Sequence, residues 1–509
     1  MELKVFKNTV LTCGGRWESR LEIPVETEIL VPDYQPAVFK IVKCLIEPVI
    51  LQNRANGGRW QGEGYLRCTV YYQSDEAGSK LCRVEQKFSF EKSAELPEGT
   101  WPDAPATLWG ETEYCNCRCI SEHRIDIRAA FVLTVSLLGT QEMELMTALA
   151  DCGIEQRAQT LTGVIPVAAE ERQFTVSDQM PLPGDGGTIL DISGVFSPES
   201  ATIQTGQVNC KGVLAVQVCY RESGAEVLSV RTRSIPILQT MEMPGTAEGD
   251  QPVFWGEMIS AVLTADEGKG DPTLTVTWKL HLEVWRGVSY ISVADAYSTL
   301  CDTKLEYTSC RLLRDARPCK ETVQVALEDE LPDAGMEVMG CFVTLTAARP
   351  AAGETADTVR LAGKGTAHVL CVDERGEMTC FDKSFSWQMP GTWQGTAEEL
   401  TPHLCASATR VGAIKNGASL RFEAEIAVAG TVLQMQKYEA VSAVELGEEF
   451  PDKADGAALW LYYAGEGERL FDIARRYHAR AKDLAAANHL EDGCEKTDGA
   501  VCLLIPAAL

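Results

Sequence analysis

Apolar and polar residues alternate along most of this chain, with a period of two rather than 3.6. In "TLTVTWKLHLEVW", Leu274, Val276, Trp278, Leu280, Leu282 and Val284 alternate with Thr273, Thr275, Thr277, Lys279, His281 and Glu283. A strand sends two such sets to opposite faces, one onto a core and one to water, and at ~3.3 Å per residue this run would span about 40 Å. "RIDIRAAFVLTVSLL" (Ile125, Ile127, Phe131, Leu133, Val135, Leu137) and "SLRFEAEIAV" (Leu420, Phe422, Ile426, Val428) repeat the pattern. Turn signals at Asn56-Gly57-Gly58, Gly78 and Gly224 divide the alternating runs, as hairpins require. The pattern predicts a mainly β protein of antiparallel, two-sheet sandwiches, with short helices confined to connections such as "EMELMTALA".

The runs recur as a long repeat. Gly99-Thr100, Gly245-Thr246 and Gly391-Thr392 stand at a constant spacing of 146, which Trp109-Gly110 and Trp255-Gly256 share. Pro32, Pro183 and Pro332 follow at spacings of 151 and 149. Between these anchors, three similar stretches open with Gly64, Gly212 and Gly365. Three anchors in one order define three tandem units, far longer than short solenoid repeats. They are expected at 1–165, 166–315 and 316–452. Long strands in such an array also leave edges open to self-association.

After residue 456 the period changes. Leu470, Ile473, Ala474 and Tyr477 fall on one helix face. A second helix fits "AKDLAAANHL", and "AVCLLIP" returns to a strand stopped at Pro506. A small β-α-α-β module is therefore expected at 457–509.

Composition narrows the function. With 45% apolar residues the chain can bury several cores, and its formal charge of −27 opposes nucleic acid and anionic lipid. No apolar run reaches the ~18 residues of a membrane span, and "MELKVFKNTVLTCGGRWESR" has no signal-peptide core, so a cytoplasmic protein is expected. The nineteen cysteines, an odd number in a large chain, read as free buried thiols. The most tempting cluster is "YCNCRC", where Cys115, Cys117 and Cys119 would share a strand face. Zinc sites bring ligands as spaced pairs and no second pair is evident, so a buried strand face is expected and no metal or other cofactor. "PGDGGT" (183–188) lacks the lysine of a phosphate loop and reads as a turn. The six histidines stand in no catalytic motif, which points away from an enzyme.

The C-terminal module resembles a LysM domain. Gly467-Glu468-Arg469-Leu470 stands where that family has Gly-Asp-Thr-Leu. Ile473-Ala474, Tyr477 and Asn488 follow in register, and Gly499 to Pro506 matches the closing Gly-x-x-Leu-x-Ile-Pro pattern. The resemblance implies a groove for N-acetylglucosamine polymers, with Gly467, Glu468, Arg469, Leu470 and Phe471 on one side and Asp498 and Gly499 on the other. Arg469 replaces the family's threonine at the helix cap, a loss worth about 1 kcal/mol that Asp472 in the first turn partly offsets.

The repeats, with "VPD" at the head, "GEGYLRCTVYY" in the middle and a "PGT…WG" joint, resemble the SPOCS domain of endospore-forming bacteria. Three SPOCS repeats followed by one LysM domain are the arrangement of spore-coat morphogenetic proteins of the SipL and SpoVID kind. That family implies a non-enzymatic scaffold in the mother cell, at the forespore surface. Its LysM domain docks on the SpoIVA-type coat ATPase and works among other coat proteins. In this chain the docking surface is expected at the first helix and its rims: Arg469, Phe471, Arg475, Arg476 and His478. Residues 457–509 carry a net of only −2, which lets these cations act locally. The alternatives are a binder of peptidoglycan or another GlcNAc-containing glycan, and a self-assembling layer protein.

Overall fold

The period-two runs pair as antiparallel strands in a computed structural model that describes residues 2–75, 80–99, 101–182, 188–204, 206–222, 227–264, 271–450, 459–491, 495–497 and 499–506. The first repeat comprises β1 (Lys4–Leu30), β2 (Val38–Asn56), β3 (Arg59–Ser74), β4 (Leu81–Glu95), β5 (Thr107–Ser121) and β6 (Arg124–Ala150). One sheet has the order β1-β6-β5 and the other is the meander β2-β3-β4. The second repeat has β7 (Ile154–Gln179), β8 (Thr188–Gln204), β9 (Gln207–Arg221), β10 (Ser229–Glu242), β11 (Gln251–Thr264) and β12 (Thr273–Ser298). The third has β13 (Cys301–Glu330), β14 (Glu337–Leu345), β15 (Arg349–Ala352), β16 (Thr358–Val372), β17 (Met378–Gln388), β18 (Trp393–Gln394), β19 (Leu400–Asn416) and β20 (Ser419–Glu449). Both repeat the first plan: the first strand pairs with the last, the last with the one before it, and the intervening strands form the opposite layer, which in the second repeat is joined to the first layer through a single pairing of Glu257 with Val195. A β-bulge recurs at the same place, between Thr112 and Tyr114, Met258 and Ser260, and Ala408 and Arg410.

The anchors have physical causes. Gly245 and Gly391 hold φ of 87° and 88°, a left-handed conformation that favours glycine. At Gly212 an added Cβ would lie 2.5 Å from the Phe196 ring, and at Gly365 it would lie 2.4 Å from Phe385, so those glycines make room for core aromatics. Pro32 and Pro332 follow the first strand of their repeats rather than precede it. The strands accordingly group as 4–150, 154–298 and 301–449, and the expected divisions at 165/166 and 315/316 fall inside β7 and β13.

Each repeat buries its own core between its sheets, and each extends beyond it. β5 covers β6 only to Ser136, β11 covers β12 only to Trp285, and β19 covers β20 only to Gln434. Past these points the first and last strands of each repeat continue as a two-stranded ribbon, and the three ribbons pack on one another. Equivalent residues meet there: Val10, Leu161 and Cys310 in one cluster, and Cys13, Val164 and Leu313 with Leu138, Trp285 and Leu433 in another. The stretch "EMELMTALA", expected as a helix, is the ribbon half of β6. A bulge opposite Phe6 and Lys7 shifts the exposed face by one residue, so Leu145 and Met146 are both buried and the spacing imitates a helix. Gly78, Gly224 and 183–187 lie outside the described residues. Among the described residues no helix is long and apolar enough to cross a membrane.

Candidate partner-binding site

The C-terminal module has β21 (Leu459–Ala464) and β22 (Val501–Pro506) as an antiparallel pair, with α1 (Leu470–Arg476) and α2 (Ala481–Ala487) against them. Leu470, Ile473, Ala474, Leu484, Leu503 and Ile505 form its core. Arg469 is the residue before α1 and makes no side-chain cap, and Arg480 stands likewise before α2. Each helix ends on a left-handed histidine, His478 (φ 51°) and His489 (φ 52°), with reversed main-chain bonds from Ala479 to Ala474 O and from Leu490 to Ala485 O. Asn488 ties α2 to β22: its amide donates to Leu504 O at 2.7 Å and its carbonyl accepts from Leu504 N at 2.6 Å.

The two loops expected to flank a groove are fastened to each other. Gly467 N donates to Thr497 O at 2.8 Å, and Thr497 N donates to Glu468 O at 3.1 Å. Arg469 and Lys496 form an isolated bridge. The Glu468 carboxylate accepts from the Tyr462 hydroxyl at 2.6 Å and from Gly465 N at 3.1 Å, and Arg476 donates to the Tyr462 hydroxyl at 2.5 Å. Leu470 is buried in the module core, Gly499 faces open space, and Asp498 lies outside the described residues.

Three of the five residues of the expected docking surface are turned inward, against the second and third repeats. Arg475 grips Asp295 of β12 with two bonds, 3.0 and 2.5 Å, and donates to Ala296 O at 2.5 Å. Phe471 stands edge-on to Tyr297 with ring centroids 4.9 Å apart, and the Tyr297 hydroxyl donates to Ala479 O at 2.7 Å. His478 lies 3.7 Å from the Phe450 ring. Tyr297, although it stands on β12 of the second repeat, thereby belongs to the module's core. What the module leaves outward is the groove rim, Arg476, and the outer face of its small sheet. On that face Leu461 is 60% and Tyr463 79% exposed, opposite Leu504 and Cys502.

A second feature was not legible in the sequence. Where the three repeats meet they form an open cleft of about 340 Å³, lined in part by Trp109, Trp255, Glu257, His281, His403 and Cys405. Lys279 is fully buried there. Its ammonium donates to Ile50 O of the first repeat at 2.5 Å and lies 3.3 Å from Glu257 and 3.5 Å from Glu171. His281 is stacked on Trp255, with Nδ1 3.1 Å from Glu171 and Nε2 3.3 Å from Glu257. His403 of the third repeat meets Glu283 of the second at 2.6 Å. Burial alone would lower the His281 pKa, but Glu171 and Glu257 outweigh it and raise it to about 9. Burial alone would raise Glu257, but His281 and Lys279 hold it at about 2. With both ring nitrogens donating to carboxylates, this imidazolium has no lone pair for a substrate proton. The arrangement joins repeats rather than offering a general base.

The signs fix a pH dependence. His281 titrates above its ordinary 6.5 in the folded chain, so its contribution is complete below about 6.5 and is lost as pH rises through about 9. Glu257 titrates below its ordinary 4.5, so its contribution is complete above 4.5 and is lost as pH falls through about 2. The stability difference between the native chain and His281→Gln is therefore expected to be greatest between pH 4.5 and 6.5 and to shrink toward pH 9. Urea midpoints across that range check it, and a constant difference would refute it.

His368, Cys380 and Asp382 bring ligand-type atoms within 4.8 Å of one another. His368 has Nδ1 2.8 Å from Asp382 and Nε2 3.0 Å from Thr344, and Lys43 of the first repeat pairs with Asp382. Each of these polar groups already has a protein partner, so the cluster reads as a junction between repeats 1 and 3. The strand of "YCNCRC" departs from expectation: β5 is an edge strand, with Cys115 and Cys119 exposed and Cys117 half-buried. No protein-family model, curated protein or solved structure matches the chain.

Proposed function

We propose that this protein is a non-enzymatic scaffold of bacterial endospore coat assembly. Its three SPOCS-like repeats form one base for a LysM-like module that docks on a SpoIVA-type coat ATPase at the forespore surface, on the mother-cell side. The observation that carries this reading is the seating of the module. Arg475, Phe471 and His478 fasten it to the repeats, leaving Arg476 exposed on the helix side and Leu461 and Tyr463 exposed on the opposite, outer face of the small sheet. Exposed large apolar side chains such as Leu461 and Tyr463 suit a protein surface.

Binding of the full-length chain to a SpoIVA-type ATPase, measured beside insoluble peptidoglycan, tests the proposal. The double variant Leu461→Ser, Tyr463→Ser is expected to weaken ATPase binding at least tenfold and leave the fold intact. Retention on peptidoglycan without ATPase binding would overturn it in favour of a glycan binder. Large reducible oligomers without either would favour a self-assembling layer protein.

A further inference from the structure

The junction between repeats 1 and 3 has a capacity that the joining of repeats does not use. Among the described residues, His368, Cys380 and Asp382 are the group that brings three ligand-type atoms within 4.8 Å of one another. All three stand on one hairpin. In the register of β16 and β17, His368 lies opposite Asp382, and Cys380 is two residues from Asp382 on the same face. Asp382 Oδ1 is their shared point: it lies 2.8 Å from His368 Nδ1 and accepts from the Cys380 thiol at 3.5 Å. Lys43 of β2 takes the other oxygen, Oδ2, and leaves Oδ1 to the cluster.

The other two repeats show that the fold does not need this trio. Strand register equates His368 with Arg67 and Ala215, Cys380 with Glu85 and Thr232, and Asp382 with Lys87 and Ser234. Neither set combines imidazole, thiol and carboxylate, so the hairpin closes without them. Nor is the arrangement that of a thiol nucleophile with its base, since the thiol is bonded to the carboxylate and the second ring nitrogen to Thr344.

Geometry and surroundings fit a metal ion. In a tetrahedral zinc site with bonds of about 2.0–2.3 Å, neighbouring ligand atoms stand about 3.3–3.6 Å apart. The Cys380–Asp382 separation already has that value, and the His368–Asp382 pair has to open by only about half an ångström. His368 is buried, with Nε2 3.0 Å from the Thr344 hydroxyl. A ring that binds metal through Nδ1 carries its proton on Nε2, and Thr344 is then the acceptor that fixes the ring. The Asp382 side chain is 44% exposed, which gives an ion its way in. Thiolate and carboxylate together cancel a divalent charge, so Lys43 meets a neutral site. Nitrogen, sulfur and oxygen ligands select zinc or cobalt over calcium and magnesium, which take oxygen.

We infer that His368, Cys380 and Asp382 bind one divalent ion of the zinc class through Nδ1, Sγ and Oδ1, with a fourth position open to solvent. The ion displaces the thiol proton. The test is titration of the full-length chain, reduced and freed of metal by a chelator, with cobalt(II) chloride as the probe. One equivalent is expected to bind, with a thiolate-to-cobalt charge-transfer band and the intense visible bands of a tetrahedral ion, and zinc is expected to displace it. Cys380→Thr copies the residue at that place in the second repeat and should fold; an unchanged urea midpoint without metal checks this. It is expected to lose the charge-transfer band and to bind cobalt at least tenfold more weakly. Asp382→Ser, copied from the same repeat, gives a second reading: weaker binding by at least tenfold with the thiolate band kept at saturation. Zinc should raise the urea midpoint of the native chain and not that of Cys380→Thr. The double variant Cys115→Ala, Cys117→Ala is expected to keep the band. The inference is overturned if the native chain binds no cobalt, or if both single variants bind it as the native chain does. It is equally overturned if the band disappears with Cys115 and Cys117 instead.

Discussion

Trp278→Ala is expected to lower the stability of the chain by about 3–5 kcal/mol, the usual cost of emptying a large buried aromatic site. Trp278 is fully buried in the second repeat, stacked on Phe196 at 4.9 Å and packed against Phe174 at 5.6 Å. It occupies the inward set of the run that defines the period of two. Among the described residues its ring nitrogen has no hydrogen-bond partner, so the loss is almost wholly one of packing. Trp278→Phe should therefore cost much less than the alanine change. Urea denaturation of the three proteins checks both statements; equal midpoints for alanine and native chains would show that the ring is not a core element. Because the second repeat contributes Lys279, His281 and Trp285 to the meeting point of all three, its loss is expected to lower the midpoint of the whole chain.

The second large effect concerns the module. Arg475→Ala is expected to weaken its seating by about 2–3 kcal/mol, roughly 30- to 150-fold, since it leaves the mostly buried Asp295 carboxylate without its charge partner. The partial exposure of Arg475 places the effect at the lower end of the range for such pairs. Hydrogen exchange at the end of β12 and in α1 reads the seating directly. Faster exchange in both, with the rest of the chain unchanged, is the expected result; unaltered exchange would mean that Tyr297 and Phe450 suffice. Exchanging the two charges, Asp295→Arg with Arg475→Asp, should recover part of the protection.

The sequence made some of this legible for simple reasons. A strand with one face in a core writes its burial into every second residue, so Leu274 to Val284 announce both the strand and its inward face. Glycines that make room for an aromatic ring or adopt a left-handed turn cannot drift, which is why Gly212, Gly245, Gly365 and Gly391 reveal the repeat. Residues 143–149 misled because a bulge joins two faces. The charged meeting point was hidden for another reason. Lys279 and His281 belong to the polar set of an alternating run, and alternation assigns that set to water. Only the arrival of the first and third repeats over that face buries it. Arg475, Phe471 and His478 showed that α1 has a rim suited to a partner, but not that the partner is the same chain.

The short connections between repeats set a limit on growth. Only 151–153 and 299–300 separate the ribbons, and Ser298 donates back to Cys152 O at 2.6 Å across that join. A helical array of repeats lengthens whenever a unit is duplicated, because its last unit always offers a face like the one before. Here each unit spends the same residues on a common centre. A fourth copy would find Val10, Leu161 and Cys310 already in contact and nothing left to cover. The architecture counts to three and closes on its common centre.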